Sequence, residues 1–382
     1  MKATYDVIVI GVGTMGSSAC YQLARRGYSV LGIEQFDIVN ELSSHSGQSR
    51  IIRKAYFEHP DYIPLLETAY ESWKDFEKTT GSKLYYKTGL LYAGLSDSAI
   101  IKGVRNASIN YNINVEEIKA SRVQAQFPQF KIPADYEVLL EPDAGFLLPD
   151  VAIKLFAEHS IRNGAQLKSN EKVLNWTRND TGVTVTTDKG SYTAEKLIIT
   201  AGPWVKKIVP NDFELEVTRQ VIGWVEPEDK AIFALDNCPC WVMTAENNEG
   251  IYYGFPYMEG DHFDGPKGLK FGHHFPGETT DPETMDRNSN ELDLMTLQTI
   301  ARKCFSKEMK TFIDTKTCIY TNSPDENFII DFLPDYDKDV VIATGFSGHG
   351  FKFAPVVGEI LANLAIEGRT TNPIEFLSAK RF

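Results

Sequence analysis

The stretch that most limits what this chain can become is its start, "YDVIVIGVGTMG" (5–16). "YDVIVIG" is a short apolar, β-branched run, the composition of a parallel strand buried on both faces. It enters Gly11-Val12-Gly13-Thr14-Met15-Gly16, a GxGxxG, and "SSACYQLARRG" continues as a helix closed by Gly27. "YSVLGIE" then reads as a second strand ending on Glu34. In such a unit one glycine makes the tight turn, one lets the backbone approach a pyrophosphate, and one lets helix pack on strand. The helix N-terminus offers partial positive charge to the phosphates, and Glu34 is placed to accept from a ribose hydroxyl. Strand, loop, helix, strand and acid in this order predict dinucleotide binding. The motif does not separate NAD from FAD, but its place at the head of a long, interrupted chain favours FAD.

At 382 residues the chain exceeds one simple core and predicts two domains. Its 39 basic and 52 acidic side chains give a net charge of −13, which argues against nucleic acid or an anionic membrane as partner. No apolar run approaches the roughly 18 residues of a spanning helix, and no signal-type cleavage site follows the apolar start. A cytoplasmic location is expected. The five cysteines (Cys20, Cys238, Cys240, Cys304, Cys318) are irregularly spaced, and "CPC" at 238–240 is not the spacing of a zinc or redox pair. Neither a disulfide nor a metal site is expected.

"SSHSGQSRIIRKAYFEHPDY" (43–62) is a loop by composition that carries His45, Arg50 and Arg53. The two arginines stand three apart, so one helical turn would aim both at one place; the plainer alternative is a solvated basic turn. Leu66, Tyr70, Trp73 and Phe76 recur at helical spacing and read as core. "LYYKTGLLYAG" (84–94) has strand composition, 95–144 is mixed and polar with "RVQAQFPQFKIPADY" as surface helix and loop, and 144–167 resumes as a helix. "GVTVTTDKG" and "SYTAEKLIITAGPW" follow as strands, the second running into a glycine turn at Gly202 and Trp204. Aromatic strands such as "QVIGWVEP", "CWVMTA", "GIYYGFPYM" and "GLKFGHHF" occupy 215–321 and suit an antiparallel sheet. Tyr252 and Tyr253 are adjacent, so only one faces a given cavity; Lys270 and His274 share a face if both lie in a strand, and most such pairs are solvated. "DVVIATGFSGHGFKFAPVVGEILANLAIEG" (339–368) is again strand, glycine loop (Gly345, Gly348, Gly350) and helix. Lys352 at the helix start is electrostatically disfavoured unless something anionic lies close.

These residues together resemble the monomeric sarcosine oxidase and N-methyltryptophan oxidase family, flavoproteins that oxidise N-methyl amino acids. The resemblance runs from end to end, and its most specific marks are "SGQSRIIRKAY", "GIYYGFP", "LKFGHH", "CIYTNSPDENFIID" and "GFSGHGFKFA". It implies a two-domain α/β fold. A Rossmann-like FAD-binding domain is expected from 1–83, 145–214 and 322–382. A substrate domain with a mixed, largely antiparallel β-sheet is expected from 84–144 and 215–321. It also implies FAD held covalently, by a thioether from its 8α-methyl to Cys318 of "KTCIYT".

Candidate cofactor contacts are Gly11, Gly13, Gly16 and Glu34, joined by Ser43, Ser44, Ser49 and Arg50 of the following loop. Val173, Gly202 and Trp204 come from the middle of the chain, and Gly345, Gly348, Gly350 and Lys352 from its end. By resemblance Arg53 and Lys352 clamp a substrate carboxylate, as charge-assisted partners can. Tyr253, His274 and Tyr320 line the amine pocket, where exclusion of water favours the neutral amine. Lys270 promotes reaction with oxygen by stabilising developing negative charge, and Arg50 lies beside the flavin.

Two departures stand out. Ser46 replaces the family's second histidine, and the linker "MEGDHFDGPKG" (258–268) is longer than in the sarcosine enzymes. The expected activity is oxidation of a secondary amino acid such as sarcosine to an imine, with O2 reduced to hydrogen peroxide, by a monomer. N-methyltryptophan-like or fructosyl amino acids are alternative substrates. A dehydrogenase using another acceptor and a flavin module without catalysis are the other readings.

Overall fold

The computed structural model describes residues 5–210, 213–245, 250–260 and 263–382. Asp261 and His262 of the 258–268 linker lie outside the described residues. Strand Tyr5–Ile10 pairs in parallel with Val30–Ile33 on one side and Ser191–Ile199 on the other. Val7, Ile8 and Val9 have no exposed surface, as a strand covered on both faces requires. The sheet continues through Gly182–Thr187 to Val173–Asn179 at one edge and to Gln166–Lys168 at the other. Strand Val340–Thr344 joins Ser191–Ile199 in parallel and carries Ile329–Phe332 antiparallel on its far side. Helix Thr14–Ala24 packs against helices Ala354–Glu367 and Pro149–Arg162.

A second sheet runs in the order Glu278–Thr279, Glu216–Pro227, Leu269–His273, Ile251–Tyr257, Cys240–Thr244, Leu90–Gly94, Glu137–Glu141, Glu116–Ile118. The long strand Met309–Asn322 also pairs antiparallel with Glu216–Pro227. Only Cys240–Thr244 with Leu90–Gly94 is parallel among its pairs, so the sheet is mixed and largely antiparallel. A small third sheet is formed by Arg50–Ile52, Gly145–Leu147 and Tyr85–Tyr86 in that order. The architecture is the two-sheet α/β fold expected.

"RVQAQFPQFKIPADY" is helix to Gln126 and loop beyond it, as read, and the mixed segment around it adds helix Ala99–Tyr111 and two strands of the second sheet. Three local readings change. The region 144–167 opens with strand Gly145–Leu147 and holds its helix only over Pro149–Arg162, because Pro149 suits a first helical turn and no earlier position. Strand Val173–Asn179 has no counterpart in the sequence reading; its polar "VLNWTRN" exposes every residue but Val173 and Trp176. The arginine segment Arg50–Ile52 is extended, not a helical turn.

Candidate active site

Where strand Tyr5–Ile10 ends, the chain bends at Gly11 (φ +87°), where a Cβ would stand 2.5 Å from the Thr200 carbonyl oxygen. A Cβ on Gly16 would meet the Gly11 carbonyl oxygen at 1.9 Å, so this glycine serves packing. Gly13 differs. A Cβ there would meet only His45 Nδ1, at 3.8 Å, and would stand in an open cleft of about 280 Å3. Helix Thr14–Ala24 begins at Gly13 with no side-chain cap, leaving its first N–H groups to a ligand. Glu34 lies under the loop, accepting from Val12 N–H at 2.9 Å and Phe36 N–H at 3.1 Å. Burial raises its carboxyl above the ordinary range.

The cleft wall also takes in Ser43, Ser44 and Arg50, then Val173, Gly202 and Trp204, then Gly345, Gly348 and Gly350. Thr321 and Thr344 also line it, and the Oγ1 of each is shut from solvent and without a hydrogen-bond partner. Buried hydroxyls of that kind are costly unless something bonds them. Orphaned hydroxyls, the space at Gly13 and the uncapped helix start all fit a bound dinucleotide.

A second cavity, about 90 Å3, shares Arg50, Tyr320, Gly348 and Phe351 with the first, so the two adjoin across a common wall. Gly348 (φ +75°) must lack a side chain, since a Cβ would lie 2.4 Å from the Tyr320 ring. Arg53 and Lys352 both face this cavity, though 96% buried. Arg53 donates to Ala55 O at 3.1 Å and forms an ion pair with Glu58, which also lines the cavity. Burial alone would raise the Glu58 carboxyl, but Arg53, then His349 and Lys352, hold it at about 2. Lys352 donates to His349 O at 2.6 Å, and burial, then Arg53, press its ammonium down to about 7. Glu58, five residues after Arg53 in "RKAYFE", puts a negative charge near Lys352 while pairing with Arg53, and neither charge pairing nor spacing marked it beforehand.

The remaining wall is aromatic and apolar: Tyr253, Tyr320, His274, Phe57, Phe255 and Ile251. His274 Nδ1 lies 3.3 Å from Tyr320 OH, and burial lowers its pKa to about 4, so the imidazole is neutral. Burial raises the Tyr253 phenol to about 12. Tyr252 turns away and packs its ring 5.3 Å from that of His273. Cys318 is 4% exposed and faces the same cavity as Tyr320, two residues on. All five cysteines are buried and unpaired.

Arg50 reaches both cavities by turning its guanidinium into its own loop, donating to Ser49 O and Ser44 O at 2.9 Å and to Ser46 O at 2.5 Å. Lys270 and Ser49 line neither cavity. The Lys270 ammonium, 1% exposed, donates to Gly47 O and, at 2.8 Å, to Ser49 O, with the Phe255 ring centroid 4.5 Å away. Burial, then Arg50, lower its pKa well below that of a free lysine. The expectation that a Lys–His pair at this spacing is solvated fails, because the covering loop supplies carbonyl partners.

Two further groups had no signal in the sequence. His349 Nε2 faces Glu326 O at 3.1 Å and must carry the proton, so Nδ1 accepts from Tyr56 OH. Glu141, wholly buried, accepts from Lys54 N–H at 2.6 Å, Ala55 N–H at 3.2 Å and Tyr92 OH at 2.8 Å. It thereby clamps the backbone beside Arg53.

A two-sheet fold with a glycine-looped dinucleotide cleft adjoining a small charged and aromatic cavity defines a flavin oxidoreductase, and the chain belongs to the FAD dependent oxidoreductase family, whose profile matches residues 6–364. It is similar to the monomeric sarcosine oxidase of Streptomyces avermitilis, 35% identical over 100% of this chain and 98% of that protein. The N-methyl-L-tryptophan oxidase of Salmonella enteritidis is 33% identical over 96% of each chain. Among solved structures, the amino acid oxidase NikD of nikkomycin biosynthesis in its open form superposes with a TM-score of 0.86 at 24% identity, over 99% of this chain and 98% of that one. Among the described residues no helix is long and apolar enough to cross a membrane, and no cluster of His, Cys, Asp and Glu could hold a metal.

Proposed function

We propose that the protein oxidises the C–N bond of a secondary N-alkyl amino acid, an N-methyl amino acid such as sarcosine first among them. The substrate loses two electrons and two protons to become an imine, and O2 gains them to become hydrogen peroxide. Hydrolysis of the imine releases the amino acid, with formaldehyde when the substituent is methyl. The observation that carries this reading is that the dinucleotide cleft adjoins a cavity that gathers Arg53 and Lys352 with Glu58 and is otherwise walled by aromatic and apolar side chains.

When bound, FAD supplies the hydride acceptor and passes the electrons on. Gly11, Gly13, the helix start at Thr14 and Glu34 would hold its adenosine and phosphates. Arg53 and Lys352 take the substrate carboxylate, the guanidinium through paired N–H donors. That carboxylate competes with Glu58 for Arg53. The neutral His274 and the buried Tyr253 and Tyr320 give the amine a setting in which its uncharged form is favoured. A cavity of about 90 Å3 suits a glycine-like side chain better than an indole. Lys270 is the charge offered to the oxygen step, acting from behind the 47–49 carbonyls, and separates this reading from a dehydrogenase.

Cys318 is the proposed point of FAD attachment, supported by its place on the cavity wall beside Tyr320. Yellow colour retained by the acid-precipitated protein, and lost in Cys318→Ala, is the expected result. The reading takes the protein as a cytoplasmic monomer; its unpaired cysteines suit a reducing compartment, and size-exclusion chromatography checks the mass. The deciding assay is peroxide release from a panel of N-substituted amino acids with oxygen uptake measured alongside. No turnover of any of them rejects the proposal, and dye reduction without oxygen uptake replaces it by a dehydrogenase.

A further inference from the structure

Gln48 within "SHSGQSR" and the long 258–268 linker, one of the two departures from the family pattern, meet in space. Gln48 is 7% exposed, and its side chain uses every polar atom. Nε2 donates to Asp264 O at 2.8 Å and Pro266 O at 3.2 Å, while Oε1 accepts from Trp224 Nε1 at 2.8 Å. Its backbone sits at φ +69°, a conformation that a residue with a side chain adopts only when its surroundings impose it. The carbonyls that flank it, Gly47 O and Ser49 O, are the two that receive the Lys270 ammonium. Ser49 O takes Arg50 as well, at 2.9 Å. Trp224, the third partner, is fully buried, with its ring centroid 5.8 Å from Lys270 Nζ.

We infer that Gln48 is a positioning residue: by pinning its loop to the linker at Asp264 and Pro266 and to Trp224, it holds the carbonyl cage that fixes the Lys270 ammonium beside the flavin cleft. The linker joins strands Ile251–Tyr257 and Leu269–His273, and Asp264 and Pro266 tie it to the cage. A glutamine suits the task because it alone offers two N–H donors and one acceptor at the end of an uncharged chain of this reach. Leucine of similar size fills the space but bonds nothing. The loop then relaxes from its left-handed turn, its carbonyls swing, and Lys270 shifts while Arg53, Glu58 and Lys352, held from elsewhere, stay in place.

The consequence for turnover rests on the amine oxidase reading, since it assigns Lys270 to the oxygen step; the placement of Lys270 does not. The test therefore has two readouts on Gln48→Leu and on Trp224→Phe, which keeps an aromatic ring but removes the N–H together with the pyrrole part of the buried indole. The first is modification of Lys270 by a small amine-reactive reagent, followed by mass spectrometry of its peptide in the folded holoprotein. Local loosening of the cage should raise the rate roughly tenfold in Gln48→Leu and less in Trp224→Phe. The second is the split between half-reactions: reoxidation by O2 should slow roughly tenfold, with anaerobic reduction by substrate within about twofold of wild type. Unchanged Lys270 reactivity in both variants overturns the inference, as does equal slowing of the two half-reactions, which would mark Gln48 as merely structural. Failure of the wild type to oxidise any N-substituted amino acid rejects the functional reading alone, and Lys270 labelling still decides the placement.

Discussion

Replacing Glu58 by glutamine removes the one carboxylate facing the cations of the small cavity and leaves Arg53 buried. The Glu58 carboxyl stands at about 2 against an ordinary 4.5. At about 1.4 kcal/mol per unit of pH, that gap corresponds to about 3 kcal/mol of folding free energy. Its side chain is only 14% exposed, so solvent screening removes little of this. Stripping one partner from a buried ion pair generally costs ~3–5 kcal/mol. The sign follows from the direction of the shift: a carboxyl held low stabilises fully above 4.5, and that contribution is lost as pH falls toward 2. Urea unfolding of wild type and Glu58→Gln should therefore differ by about 3 kcal/mol at pH 7 and converge between pH 4.5 and 2. A ligand with a carboxylate takes the vacated place opposite Arg53 and Lys352, so its affinity should rise about tenfold in the variant. It should also restore part of the lost stability. Equal stability at pH 7, or a difference that persists unchanged at pH 2, refutes the pairing as the source of the low carboxyl. Weaker carboxylate binding by the variant refutes the competition.

Because burial and Arg53 hold Lys352 at about 7, an amine-free carboxylate should bind most tightly below that pH. Its affinity, followed by flavin absorbance, should fall up to about tenfold per pH unit above it, and Lys352→Met should show weak, flat binding throughout. Gly13→Leu puts a side chain into the dinucleotide cleft and should yield folded protein without yellow colour; normal FAD content would show that the cleft is not the FAD site. Glu141→Leu leaves Lys54 N–H, Ala55 N–H and Tyr92 OH without their acceptor. At about 1–3 kcal/mol for each buried orphan, it should destabilise the protein by several kcal/mol and raise KM through Arg53; an unchanged urea midpoint would count against the clamp.

The nucleotide unit was readable because its signals are local. A β-branched run, glycines at fixed spacing and a helical stripe are each set within about a dozen residues; Tyr5–Ile10 and Val340–Thr344 fall where the pattern put them, and helix Thr14–Ala24 starts ahead of "SSACYQLARRG" and stops short of Gly27. The aromatic strands were equally plain. Strand Glu137–Glu141 was not, because its flanking glutamates look like a solvated segment. Arg50 and Arg53 reach one cavity, through an extended segment and a turn held by Ala55 O and Glu58.

Residue types and their order along the chain were enough to define a dinucleotide cleft, a second aromatic sheet and the family to which the chain belongs. They did not say which charges meet. Glu141 grips Lys54 across 87 residues, Gln48 reaches Asp264 across 216, and Gly47 receives Lys270 across 223. Each contact depends on the register of strands that pair at long range, and no local periodicity encodes that register. A carboxylate or ammonium survives in the interior only where donors or acceptors converge on it. Convergence is a property of the folded arrangement, so the low Glu58 carboxyl, the caged Lys270 and the pinned Gln48 exist only once both sheets are in place.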